Sequence, residues 1–174
     1  MDSLPKIIAI DANVLVCLCE KSGDRKEKID HLIAQLDKSK GKVVIPTPSI
    51  AEFLVHADQA GLGILEALQK RSSVFIASFD LAAAYENSQM DAAALGRKDK
   101  RDGSKEAWQK IKVDRQIVAI AKTQGAKFIV SDDDGVRASA ARTGIKAKKI
   151  DELPLPDSAI QTKLPMEDPE QPSE

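Results

Sequence analysis

Aromatic side chains are scarce: one Trp, one Tyr and four Phe make up 3% of the 174 residues. A chain this poor in rings has little surface on which bases can stack, so a nucleic-acid partner would be held by charge and hydrogen bonds. There are two cysteines, Cys17 and Cys19. They are too few for a disulfide framework, and with His31 and His56 they form no zinc spacing, so they read as a core thiol and its neighbour. No apolar run reaches the roughly 18 residues of a membrane span. The longest, residues 7–19, is interrupted by Asp11 and Asn13 and leads to no signal-peptide cleavage pattern. Nucleotide-binding glycine motifs are missing too. Gly61-Leu62-Gly63 has Glu66 at the third glycine position and does not follow a strand, and neither a Gly-Lys-Ser/Thr motif nor a serine nucleophile elbow occurs. The chain is otherwise ordinary, 43% hydrophobic and 30% charged. It is expected to be a soluble cytoplasmic protein with no membrane association.

The net charge of −1 is unevenly spread. Residues 157–174 hold five acids and one base, Lys163, so the rest of the chain is net positive. Five of the eight prolines fall after residue 153. An acidic, proline-rich end with few apolar residues reads as an extended tail. The expected organisation is one domain over 1–156 and a flexible tail over 157–174.

Within the domain, short β-branched runs alternate with helical patterns. Residues 6–10 (KIIAI), 43–45, 74–78, 127–131 (KFIVS) and 146–150 read as strands. Ile29, Leu32, Ile33 and Leu36 recur at helical spacing within residues 24–38. Thr47 is expected to cap a helix that has Pro48 at its first position, carries Glu52 and runs to about Asp58. A helix over 62–70 follows, and Asp80 caps an Ala-rich helix reaching Leu95. After a charged loop, 96–103, Ser104 caps a helix or helix pair to Gln124. Residues 136–143 form the last helix. Strands alternating with helices imply an α/β three-layer sandwich around a mostly parallel sheet. Ligands in such sheets sit beyond the carboxyl ends of the strands. Asp11 and Asn13, the 47–52 segment, and Asp132-Asp133-Asp134 all fall there.

Asp114 is the most informative acid. On a continuous helix it shares a face with Ala107, Ile111, Ile117, Val118 and Ala121. A lone buried carboxylate costs several kcal/mol or takes up a proton, so it needs a cation, a donor or a metal. A salt bridge to Arg115 or Lys122, or a break in the helix, would serve as well. Asp11 and Asn13 also fit an ordinary turn, and Glu52 a solvent-facing helix position. One or two of the three consecutive acids fit a helix N-terminus. Three adjacent to the strand end, together with Asp11 and Asp114, suggest a shared cation, and oxygen-only ligands suit Mg²⁺ or Mn²⁺.

The segments IIAIDANVLV (7–16), IPTPSIAEFL (45–54), KVDRQIVAIAKTQGAKFIVSDDDGV (112–136) and GIKAKKIDEL (144–153) resemble, in order, the motifs of PIN-domain nucleases, and are similar to VapC-type toxins. The resemblance implies a Rossmann-like fold and a Mg²⁺- or Mn²⁺-dependent endoribonuclease that hydrolyses RNA phosphodiesters with metal-activated water. Asp11, Glu52 and Asp114 match the family's first three acids. Ser131 as the family's hydroxyl residue selects Asp133 as the fourth, with Asp132 as second choice and Asp134 as a cap. Asn13 and Ser131 match supporting polar positions. The resemblance also places the start of the Asp114 helix near Lys112, which weakens the apolar-stripe argument.

Arg115 and Arg137 are candidates to hold flanking phosphates. The run Arg97, Lys98, Lys100, Arg101 and Lys105 is either a further RNA contact or a solvated loop. Trp108 is either packing or a base platform. By resemblance the partners are an RNA substrate, a second copy of the chain and a small antitoxin; residues 62–68 and the Ala-rich helix are either a groove for the antitoxin or ordinary core helices. A haloacid-dehalogenase-like phosphatase is disfavoured because Asn13 stands where its second Asp would be. A non-catalytic PIN-like module that binds RNA or protein is the alternative.

Overall fold

The KIIAI run becomes the central strand of the sheet. The computed structural model describes residues 5–156, and the acidic tail expected over 157–174 lies outside the described residues. Five strands, β1 (Ile7–Ile10), β2 (Lys42–Pro46), β3 (Val74–Ala77), β4 (Phe128–Val130) and β5 (Lys146–Lys148), form one sheet in the order β3-β2-β1-β4-β5. Every pairing is parallel. The helices are α1 (Ala12–Leu18), α2 (Asp24–Lys38), α3 (Thr47–Leu54), α4 (Gln59–Gln69), α5 (Leu81–Gly96), α6 (Trp108–Thr123) and α7 (Asp134–Arg142), followed by a 3₁₀ turn, Ile150–Glu152.

Strand periodicity divides the core in two. Ile8, Ile10, Val43, Ile45, Phe128 and Val130 face α1, α2 and α4. The intervening Ala9, Val44 and Ile129 face α5, α6 and α7. Parallel strands covered on both faces need apolar residues on both, which is why these runs do not alternate with polar residues. Among the described residues, no helix is long and apolar enough to cross a membrane.

Three local expectations are corrected. The helix α1 was not anticipated. Its sequence, ANVLVCL, is β-branched and looks like strand, but Asp11 caps it and Val14, Leu15 and Leu18 bury one face. Thr47 is not a cap: Pro46 is the capping residue, and Thr47 and Pro48 lie inside the first turn of α3. That helix stops at Leu54, and Asp58 instead caps α4 through the Gly61 N–H at 2.9 Å.

The third correction bears on the site. α6 begins at neither Ser104 nor Lys112 but at Trp108. The Ser104 hydroxyl accepts from the Glu106 N–H at 3.1 Å, closing a turn short of the helix. From Trp108 the helix is continuous, so Asp114 does share an axis with Ile111, Ile117, Val118 and Ala121, and it is buried with them at 1% exposure.

Candidate functional site

The strand ends assemble the site. Asp11 directly follows β1, and its N–H donates to the Val130 carbonyl at 3.1 Å, so the ends of β1 and β4 are stitched side by side. The Asp11 carboxylate is 2% exposed and fixed at both oxygens. Oδ1 accepts from the Ala12 N–H at 2.7 Å and the Ser49 hydroxyl at 2.9 Å. Oδ2 accepts from the Ser131 hydroxyl at 2.7 Å and more weakly from Asn13 Nδ2 at 3.4 Å. Ser131 in turn accepts from Asn13 Nδ2 at 3.3 Å and from the Asp133 N–H at 3.0 Å. Asn13 Oδ1 accepts from the Asp132 N–H at 3.3 Å. Asn13 and Ser131 thus tie the first acid to the loop that bears the last.

Asp133, not Asp134, caps α7. Its Oδ1 accepts from the Gly135 and Val136 N–H groups at 2.8 and 3.1 Å. Its Oδ2 accepts from Lys110 Nζ at 2.8 Å, and the same ammonium donates to Asp114 Oδ1 at 2.6 Å. Asp114 Oδ2 packs against Gly135, so Asp114 and Asp133 converge on that glycine. Glu52, from α3, completes the group. Burial raises its carboxyl above the usual range, with further contributions from the Asp11, Asp114 and Asp133 charges. Burial also raises Asp114, against the pull of Lys110. Asp133 is held low, because Lys110 and the α7 amides outweigh its burial. Lys110 is held protonated by Asp114 and Asp133 in spite of its own desolvation.

This crowding has a measurable consequence. The folded Glu52 and Asp114 carboxyls hold protons more tightly than unfolded ones. Their contribution to stability is complete below the unfolded value and is lost as pH rises through the folded value. In EDTA at neutral pH, Glu52→Gln is therefore expected to melt about 2–5 °C above wild type. The gap should narrow on acidification. Melting curves that coincide at both pH values would show that Glu52 is not crowded.

The other expected residues are placed differently. Asp132 turns away from the acids: its carboxylate pairs with Arg25 and accepts from the Ile150 N–H at 3.1 Å, pinning the 3₁₀ turn to α2. Asp134 is exposed and pairs with Arg137. Arg137 also reaches the Ser131 and Asp132 carbonyls and stays beside the β4–α7 junction. Arg115, expected at a phosphate, is buried at 2% exposure. Its guanidinium donates to Asp91 at 2.6 Å, to Asp102 at 2.9 Å and to the Lys100 carbonyl at 2.7 Å. The charged loop is accordingly organised around Asp102, which also pairs with Arg97 at 2.6 Å. Trp108 packs beneath it, with Lys100 and Arg115 5.3 and 5.5 Å from its ring centre.

Sequence reasoning passed over Ser49 and Lys110. Ser49 is fully buried one turn after β2, in line with Phe53, an unusual place for a hydroxyl with nothing to bond. Lys110 stands four residues before Asp114, the spacing of a helical ion pair.

Among the described residues, no three His, Cys, Asp or Glu side chains form a closed metal cage; the acids surround a lysine ammonium instead. The donor chemistry nevertheless fits a hard divalent cation. Every donor is a carboxylate oxygen, the acids repel one another, and a positive charge already sits among them.

A model of the PIN domain family matches residues 8–141. Comparison with curated proteins finds no match in sequence. Among solved structures, the fold is similar to VapBC2 from Rickettsia felis bound to a DNA fragment from its promoter, at 14% identity and TM-score 0.59, covering 82% of this chain and 98% of that one. It is also similar to DNA-bound VapBC from Salmonella typhimurium, at 18% identity and TM-score 0.53, covering 84% and 99%.

Proposed function

The chain belongs to the PIN domain family, and from that premise we propose that it is a Mg²⁺- or Mn²⁺-dependent endoribonuclease. The observation that carries this reading is the meeting of Asp11, Glu52, Asp114 and Asp133 beyond the carboxyl ends of β1, β2 and β4. Asp11, Asp114 and Asp133 would hold the divalent ion, with Glu52 beside them. Such an ion, when bound, acidifies water and neutralises charge on a phosphodiester.

The chain's own groups supply the rest. Ser49, Ser131 and the Ala12 amide fix the orientation of Asp11. Glu52 accepts no hydrogen bond from the described residues, and burial raises its carboxyl above the usual range, so its Oε atoms are free to take up or return a proton during hydrolysis. A cleft of about 300 Å³ adjoins Asp114 and Gly135 and is rimmed by Arg101, Lys105 and Arg142. These bases, with Arg137 paired to Asp134, are the phosphate contacts of this reading, in place of Arg115.

A protein partner and a second copy belong to the same reading. The solved structures it resembles are VapBC assemblies. Val16, Leu54, Val55 and Leu62 expose apolar surface on α1, the end of α3 and α4. An antitoxin in the same cytoplasm would find its docking face there, and not between residues 62–68 and α5, because α4 and α5 cover opposite faces of the sheet.

Incubation with single-stranded and structured RNA in Mg²⁺, Mn²⁺ or EDTA tests the proposal, with Asp11→Asn as the control for contaminating nuclease. Metal-dependent cleavage by wild type alone, leaving 5′-phosphate and 3′-hydroxyl ends, is expected. Products ending in a 2′,3′-cyclic phosphate would refute it, because the 2′-hydroxyl would then be the nucleophile rather than water.

A further inference from the structure

Lys110 uses the two oxygens that a bound ion would need. Asp133 Oδ1 is committed to the α7 amides, which leaves Oδ2. Asp114 Oδ2 is packed against Gly135, which leaves Oδ1. Those two remaining oxygens are the ones that accept from the Lys110 ammonium, at 2.6 and 2.8 Å. Lys110 is also the sole hydrogen-bond donor to the Asp114 carboxylate among the described residues. Its position in the helix adds to the case. It is the third residue of α6, where the helix dipole disfavours a cation, so the acids rather than the helix keep it there. Its side chain is 33% exposed and flexible, which gives the ammonium a way out to solvent.

We propose that Lys110 is a built-in counter-ion of the acid centre. It joins Asp114 to Asp133 in the metal-free protein, and a divalent ion must displace it in order to bind. Lys110 thereby sets how much metal the site requires. This rests on the reading that the acids hold a divalent ion. An ammonium and a divalent ion drawn to the same two oxygens repel each other at close range in a buried site, so the metal binds at the ammonium's expense.

Calorimetric titration with Mn²⁺ of wild type, Lys110→Met and Lys110→Arg tests the proposal. Lys110→Met keeps an unbranched side chain, one atom shorter, without the charge. It is expected to bind Mn²⁺ about tenfold more tightly, the equivalent of one charge-assisted hydrogen bond no longer given up. Lys110→Arg retains a competing cation and should stay near wild type, which keeps the comparison readable if the methionine variant melts early. In wild type, saturating Mn²⁺ should speed amine acetylation at Lys110, followed by mass spectrometry, and leave other lysines unchanged. Equal or weaker Mn²⁺ binding by Lys110→Met, with labelling unmoved, overturns the counter-ion role and leaves the metal-dependent reading standing. Failure of wild type and Lys110→Met alike to bind Mn²⁺ removes both.

Discussion

Gly135→Ala should keep the fold and lose the chemistry. Gly135 is the second residue of α7 and has no positive φ, so alanine suits the backbone and favours the helix by up to about 1 kcal/mol. The added methyl group has no room. It would fall well inside the van der Waals contact distance of Asp114 Oδ2, 3.2 Å from Asp114 Cγ and 3.1 Å from Asp133 Oδ1. Relief comes from rotating these short side chains, at the cost of the Lys110 bond and part of the α7 cap rather than of the fold. The rotation carries Asp114 away from Lys110 and from the place where its carboxylate meets the other acids. A displacement of that order costs on the order of 10²-fold in rate. Initial rates of RNA cleavage in saturating Mn²⁺, alongside melting by circular dichroism, read the two effects apart. Gly63→Ala, on α4 with open space around it, is the neutral control. A Gly135→Ala enzyme cleaving within threefold of wild type would show that the Asp114 carboxylate need not sit where the structure places it.

The architecture was largely legible because parallel sheets announce themselves. Apolar runs with no polar alternation, separated by helical spacing, leave few other layouts, and the carboxyl-end rule then points to Asp11 and the 131–134 loop. α1 was not legible, because its β-branched sequence outweighs a single capping Asp until tertiary burial decides. Among the three consecutive acids, identity alone could not assign roles: one fills the cap, one locks the 3₁₀ turn and one faces solvent. Which does which depends on where α2 and the turn after β5 arrive, and those contacts are more than 15 residues away in sequence. Lys110 and Ser49 were obscured for opposite reasons. One lysine in a chain that is 30% charged carries no signal by type. A serine on a short helix reads as surface until its burial against Asp11 is seen. Both were recoverable from spacing, Lys110 four residues before Asp114 and Ser49 four before Phe53.

Arg115 was also recoverable, and its replacement separates structure from binding. It lies four residues after Ile111 and three before Val118, on a buried flank of α6, and its charge is spent on Asp91, Asp102 and the Lys100 carbonyl. Breaking a buried pair from one side leaves its partner desolvated and uncompensated. Arg97 and Arg142 still attend Asp102, so the loss falls on Asp91, on the Lys100 carbonyl and on the Trp108 contact. Arg115→Met is expected to lower unfolding stability by about 3 kcal/mol and the melting temperature by about 6–12 °C. Lysine should rescue little, since one ammonium cannot reach three acceptors held in a planar fork. A phosphate-binding arginine would behave in the opposite way. Its removal would spare stability, weaken RNA binding and flatten the dependence of that binding on salt. Chemical denaturation and salt-dependent RNA affinity, measured on the same variant, decide between the two. Unchanged stability with a reduced salt slope would return Arg115 to the substrate path and leave the charged loop to be held by Arg97 and Arg142.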